Sequence, residues 1–117
     1  MDSKFANDFA SEWIAAWNAH DLPRILSHYT DDFEMTSPKI VQIAGEPSGC
    51  LVGKAAIGAY WAKALARVPD LHFELIAVLH GIDSIVLHYR RPDGQIAAEV
   101  FHFNSAGLVD RASANYG

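Results

Sequence analysis

Cysteine is nearly missing from this chain: Cys50 stands alone among 117 residues. An internal disulfide is therefore excluded, and so is a thiolate metal cage, which fits a reducing cytoplasm. Basic clusters are missing too. Nine Lys and Arg residues are scattered among fourteen Asp and Glu, for a formal charge of −5. Nothing here would neutralise a phosphate backbone, so no nucleic-acid partner is expected. No apolar run approaches the ~20 residues of a spanning helix. Asp2, Asp8 and Glu12 interrupt the opening stretch in a way a secretory leader would not tolerate. The expectation is a cytoplasmic protein that does not enter membranes, with no linker, repeat or low-complexity segment.

What is present is apolar surface. Half of the residues are apolar, enough at this length for one core without staples, so residues 1–117 are read as a single domain. Phe5, Phe9, Trp13 and Trp17 form an i, i+4 row that lines one side of a first helix. Asp21 reads as an N-cap with Pro23 in the turn behind it, and Leu22, Ile25, Leu26 and Tyr29 repeat at helical spacing. After a turn at Asp31-Asp32, the segment Phe33 to Ser37 alternates as a strand and stops at Pro38. Phe33, Met35 and Ser37 then share one face. Residues 39–53 hold four turn formers around Ile40 to Ile43 and read as a loop with one short strand. A third helix follows, burying Ile57, Tyr60, Trp61, Ala64, Leu65 and Val68, and ends before Pro69.

The last third changes character. Runs near 71–80, 84–91, 95–104 and 108–116, separated by glycine turns, predict a four-stranded antiparallel meander and an α+β layer structure. A three-residue Pro92-Asp93-Gly94 hairpin loop sets Arg91 opposite Gln95, Tyr89 opposite Ala97, Leu87 opposite Glu99 and Ile85 opposite Phe101. Period-two alternation then puts Glu99 on an apolar face with Ile85, Leu87, Tyr89, Ala97, Phe101 and Phe103. The preceding strand would turn Leu71, Phe73, Leu75, Ala77 and Leu79 to the same side, and His72, Glu74 and His80 away. A carboxylate among aromatic rings either finds donors or holds its proton, which marks Glu99 as the candidate catalytic residue. The plainer alternative is a rim carboxylate that reaches water or an arginine.

Other chemistry is poorly supported. His20 and His28 sit at helix ends, and His72, His80, His88 and His102 fall on the predicted outer face without metal-ligand spacing, so no metal is expected. Asp31-Asp32 suits a turn better than a paired acid site. Gly45 to Gly53 lacks the ending of a phosphate loop.

The motifs Trp17-Asn18-Ala19-His20-Asp21, Tyr29-Thr30-Asp31-Asp32-Phe33, Gly53-Lys54-Ala55-Ala56-Ile57 and Phe101-His102-Phe103-Asn104-Ser105-Ala106-Gly107 run in order along the chain. In them the chain resembles the SnoaL-like branch of the nuclear transport factor 2 superfamily. The resemblance implies a cone-shaped half-barrel, with three N-terminal helices closing a strongly curved, mixed, mostly antiparallel sheet around a pocket. It also implies a homodimer formed through the outer sheet face. Ketosteroid isomerases of this kind use an acidic base, a tyrosine and a protonated acid; the matching positions here are Ser37, Trp13 and Glu99. Limonene-type epoxide hydrolases need an arginine where Ala97 stands. Polyketide cyclases need essentially one proton-moving acid, and Glu99 matches that requirement.

The resulting expectation is a pocket for a small, mostly apolar organic ligand bearing a carbonyl or hydroxyl, used without cofactor. Trp13, Trp17, Tyr29, Phe33, Met35, Ser37, Trp61, Tyr89, Phe101, Phe103 and Tyr116 would line it around Glu99. A non-enzymatic binding or dimerisation module is the alternative. The last strand stays open between two registers. A three-residue loop at Ser105-Ala106-Gly107 turns Arg111 and Ser113 inward, whereas the resemblance turns Ala112, Ala114 and Tyr116 inward.

Overall fold

The aromatic row does what its spacing predicts. In the computed structural model, which describes residues Met1–Gly117, helix α1 (Ser3–Asn18) buries Phe9, Trp13 and Trp17 together with Ala6, Ala10 and Ala16. Asp2 caps it, accepting the Phe5 amide at 2.8 Å. Helix α2 (Leu22–Leu26) is five residues long, with Asp21 accepting the Arg24 amide. Tyr29 does not share its face. It opens strand β1 (Tyr29–Thr36) instead, so its helical spacing from Leu22 and Ile25 is a coincidence of two elements meeting. Asp31 and Asp32 are exposed inside that strand, where pairing with its neighbour is interrupted.

Residues 38–44 are a helix, which corrects the expected loop. Helix α3 (Pro38–Ala44) is started by Ser37, whose hydroxyl accepts the Lys39 amide at 3.1 Å. Pro38 sits in the first turn, where no N–H is needed, and Gly45 closes it at φ 71°. The proline that looked like a strand stop is thus also a helix start. Strand β2 (Cys50–Val52) and helix α4 (Lys54–Arg67) follow, so four helices stand where three were expected.

The meander is present as β3 (Glu74–His80), β4 (Ser84–Arg90), β5 (Ile96–Phe103) and β6 (Val109–Tyr116). The six strands lie in the order β2-β1-β6-β5-β4-β3. Only β1 and β6 pair in parallel. The result is an α+β cone-shaped half-barrel, with helices on the side that buries Tyr29, Phe33, Ile85, Leu87, Phe101 and Val109.

Two bulges set the faces. The hairpin register holds as derived, with Arg91 N donating to Gln95 O and Leu87 opposite Glu99. In β3, however, pairing shifts between Leu75 and Ala77. Beyond that shift Val78, opposite Leu87, packs on the core and Leu79 is 55% exposed. His80 moves to the helix side, where its Nε2 meets Ser3 Oγ. A single extra residue exchanges the two sides of a strand. In β6 the three-residue loop is real, since Asn104 N donates to Leu108 O. Yet Val109 pairs with Phe103 and Arg111 with His102, which leaves Asp110 as the extra residue. Ala112 and Ala114 therefore point inward and Arg111 is exposed.

Candidate active site

The Trp17-to-Asp21 motif has a mechanical role. Asn18 grips the chain at Phe73, accepting from its amide at 2.7 Å and donating to its carbonyl at 3.1 Å. His20, at φ 55°, places Nε2 2.8 Å from the Leu71 carbonyl. These three bonds hold residues 71–73 against α1, so that Leu71 and Phe73 become cavity walls.

The cavity has a volume of about 50 Å³ and lies between α1, α3, α4 and the inner face of the sheet. Of the residues proposed from sequence, Trp13, Trp17, Met35, Trp61, Tyr89, Glu99 and Tyr116 line it. Tyr29, Phe33, Ser37, Phe101 and Phe103 are buried elsewhere. Phe101 and Phe103 pack edge-on against Phe9 with ring centroids 5.0 Å away, on the α1 side. Phe33 lies 4.4 Å from the Tyr29 ring, and the Tyr29 hydroxyl accepts the Trp13 indole N–H at 3.0 Å. Ser37 is occupied by its capping bond to α3. Sequence reasoning missed Lys39, Ile43, Tyr60, Ala64, Val68, Leu71, Phe73 and Arg91. Tyr60, Ala64 and Val68 were read as helix core, which was the available signal. Lys39 and Ile43 were hidden by the unrecognised helix.

Glu99 is 4% exposed. The Tyr89 hydroxyl donates to its Oε1 at 2.9 Å, and Oε2 has no protein partner. Burial drives its pKa up to about 7, opposed by the Tyr89 bond and by the charge of Arg91. Near neutral pH the carboxyl therefore exists in both forms, as a general acid or base requires. Arg111 does not face it. Burial also raises the Tyr116 and Tyr60 phenols, and the Glu99 charge adds to both rises, so these tyrosines stay protonated donors. The Trp17 indole N–H is buried without an acceptor. No cluster of metal-ligating side chains forms.

The SnoaL-like domain profile matches residues 10–108. The chain belongs to the SnoaL-like family. A SnoaL-like protein of unknown function from Burkholderia thailandensis E264 is 59% identical over 99% of this chain and 97% of its own, with a TM-score of 0.96. A candidate isomerase of the SnoaL-like family from Agrobacterium tumefaciens strain C58 shares the fold at 18% identity, with 97% and 98% coverage and a TM-score of 0.78. The epoxide hydrolase/cyclase-like enzyme SalBIII, which acts in pyran ring formation in the polyether salinomycin, matches at 17% identity, covering 99% and 93% with a TM-score of 0.74. No curated protein matches. This chain thus shares its fold with a candidate isomerase and with an epoxide hydrolase/cyclase-like enzyme.

Proposed function

We propose that this SnoaL-like chain binds a small, mostly apolar ligand bearing a carbonyl or hydroxyl, and catalyses cofactor-free proton transfer on it in the manner of isomerases and polyketide cyclases. The observation that carries this reading is the Glu99 carboxyl: buried, poised near pH 7, and with one oxygen unused at a cavity wall. Ionised Glu99 takes a proton from the carbon beside a carbonyl, and the enolate oxygen accepts a hydrogen bond from a wall donor such as Tyr116, Tyr60 or Trp17. Glu99 then returns the proton to a different carbon, which is isomerisation. In the cyclase variant the enol carbon first attacks a second carbonyl, and that carbonyl's oxygen takes the proton.

Measured against drug-sized pockets of roughly 300–1,000 Å³, the cavity of about 50 Å³ admits only the reacting end of a ligand, with the remainder at the mouth. That size also supports a second reading, a non-enzymatic small-ligand or dimerisation module in which Tyr89 simply satisfies Glu99. The cytoplasm remains the proposed location, and a second copy paired through the outer sheet face the proposed partner. Leu79, Val52, Ile76 and Ile96 are exposed apolar residues of that sheet.

Deuterium uptake from D₂O into cyclic ketones and 1,3-diketones tests the enzymatic reading. Glu99→Gln is expected to lower exchange by ~10²–10⁴-fold, and the wild-type rate should inflect near pH 7. Exchange that survives the substitution unchanged would falsify the catalytic role. Lost ligand affinity without any exchange in the wild type would favour the binder.

A further inference from the structure

The mouth of the cavity carries two cations that no ion pair within the protein engages, although Glu99 and Asp93 lie within range of their charge. Lys39 from α3 and Arg91 from the β4–β5 hairpin both line it. Four ion pairs form in the molecule, and neither cation belongs to one. Both lie instead against aromatic rings. Lys39 Nζ is 4.5 Å from the Tyr116 ring centroid, and Arg91 Cζ is 5.7 Å from the same centroid and 5.6 Å from that of Phe73. Burial and the Arg91 charge both act to strip the Lys39 ammonium of its proton, with Asp93 opposing them from outside ion-pair distance. Asp93 and Asp70 border Arg91 on its outer side, in a separate shallow depression.

Bringing two half-buried like charges to one aromatic rim is unfavourable unless an anion completes the arrangement. Trp17, also in the cavity wall, carries an indole N–H that is buried without an acceptor. We infer that the ligand is a small organic carboxylate, its anionic group held at the rim by Lys39 and Arg91 and its apolar body passing between Tyr116, Phe73 and Trp17. Guanidinium forks suit carboxylate geometry, and the ring faces that now hold the cations also give an apolar body its contact. The inference deepens the proposed function by naming the charge of the substrate, and it rests on the same cavity being the binding site. Placing the anion at the rim leaves the far end of the molecule beside Glu99.

Isothermal titration with benzoate, cyclohexanecarboxylate and 4-phenylbutyrate, each against its primary amide, tests the assignment. The acids are expected to bind about tenfold or more tighter than their amides, and added salt should erode that margin. Lys39→Met and Arg91→Met should each cost the acids about tenfold and the amides less, so that the acid-over-amide margin narrows, and Arg111→Met, on the exposed side of β6, should leave that margin in place. Equal affinity for acid and amide, an equal loss from Arg111→Met, or no binding of any acid to the wild type would overturn the clamp. The acid-against-amide margin in the wild-type protein needs no variant to fold. Ketone exchange that depends on Glu99 while acids bind no better than amides would sink the clamp and leave the proton-transfer reading standing. Carboxylate binding that requires Lys39 and Arg91, with no Glu99-dependent exchange, would do the reverse.

Discussion

Glu12 and Glu99 are the same residue in two regions of one small molecule, and their chemistry has diverged in opposite directions. Glu12 lies on the outer side of α1, where Arg24 Nε donates to it at 2.8 Å and His28 approaches at 3.2 Å. The Arg24 bond dominates and holds its pKa down near 2. Glu99 lies across the core on β5 with a neutral phenol as its one donor, and burial lifts it to about 7. A cation in hydrogen-bond contact outweighs partial burial, whereas a phenol does not outweigh complete burial. Acid–base utility at neutral pH therefore follows from what the sheet withholds from Glu99 rather than from what it supplies.

The strongest way to break this contrast is to erase the Glu99 charge. Between pH about 4.5 and 7 the unfolded chain releases this proton while the folded chain keeps it, so stability falls as pH rises through that window and levels off above it. The shift corresponds to about 3 kcal/mol. Urea unfolding of Glu99→Gln should lack the slope and exceed the wild type above pH 7; a variant that keeps the slope would show that another group carries it.

Removing the phenol is expected to matter somewhat less. Tyr89→Phe deletes a bond to a charged acceptor, a class worth about 1.5–3 kcal/mol. The Glu99 carboxyl should then titrate above the wild-type midpoint when followed by carbon NMR, and a fall in that midpoint would contradict the assigned role of Tyr89. Glu12→Gln should give the smallest effect and the opposite sign. The Glu12 contribution is complete above pH about 4.5 and disappears as pH falls toward 2. With its side chain 37% exposed, solvent screening keeps that contribution under about 1 kcal/mol. Glu12→Gln should thus raise the acid unfolding midpoint, whereas Glu99→Gln, at a carboxyl protonated in both states below pH about 4.5, should leave it in place.

Much of the inner sheet could be read before any coordinates, because its logic is local. The Pro92-Asp93-Gly94 turn fixes one pairing, alternation propagates it, and Glu99 falls among Leu87, Tyr89 and Phe101. The α1 stripe was equally legible from its four rings. Lys39 and Arg91 were not, since their roles depend on α3 and a hairpin stem meeting at one rim, a juxtaposition no local pattern encodes. Helix α3 itself was masked because Ser37-Pro38 ends a strand and opens a helix with the same two residues. Leu79 and His80 were assigned to the wrong sides for a different reason: alternation is a parity rule, and the pairing shift after Leu75 breaks parity without leaving a compositional trace.

The extra residue at Asp110 behaves as slack in a tape whose frame would otherwise be wrong. Were β6 to zip from its turn without skipping a position, Arg111 would arrive opposite Phe101 and Ser113 opposite Glu99, burying a cation where alanines now sit. Deleting Asp110 removes only the slack and keeps every other residue on its present side. An inserted residue between Arg111 and Ala114 would shift the frame and rewrite the pocket wall. Length changes of one codon in this strand are therefore a sharper route to new chemistry than any substitution in it, and their effect depends on which side of Arg111 they fall.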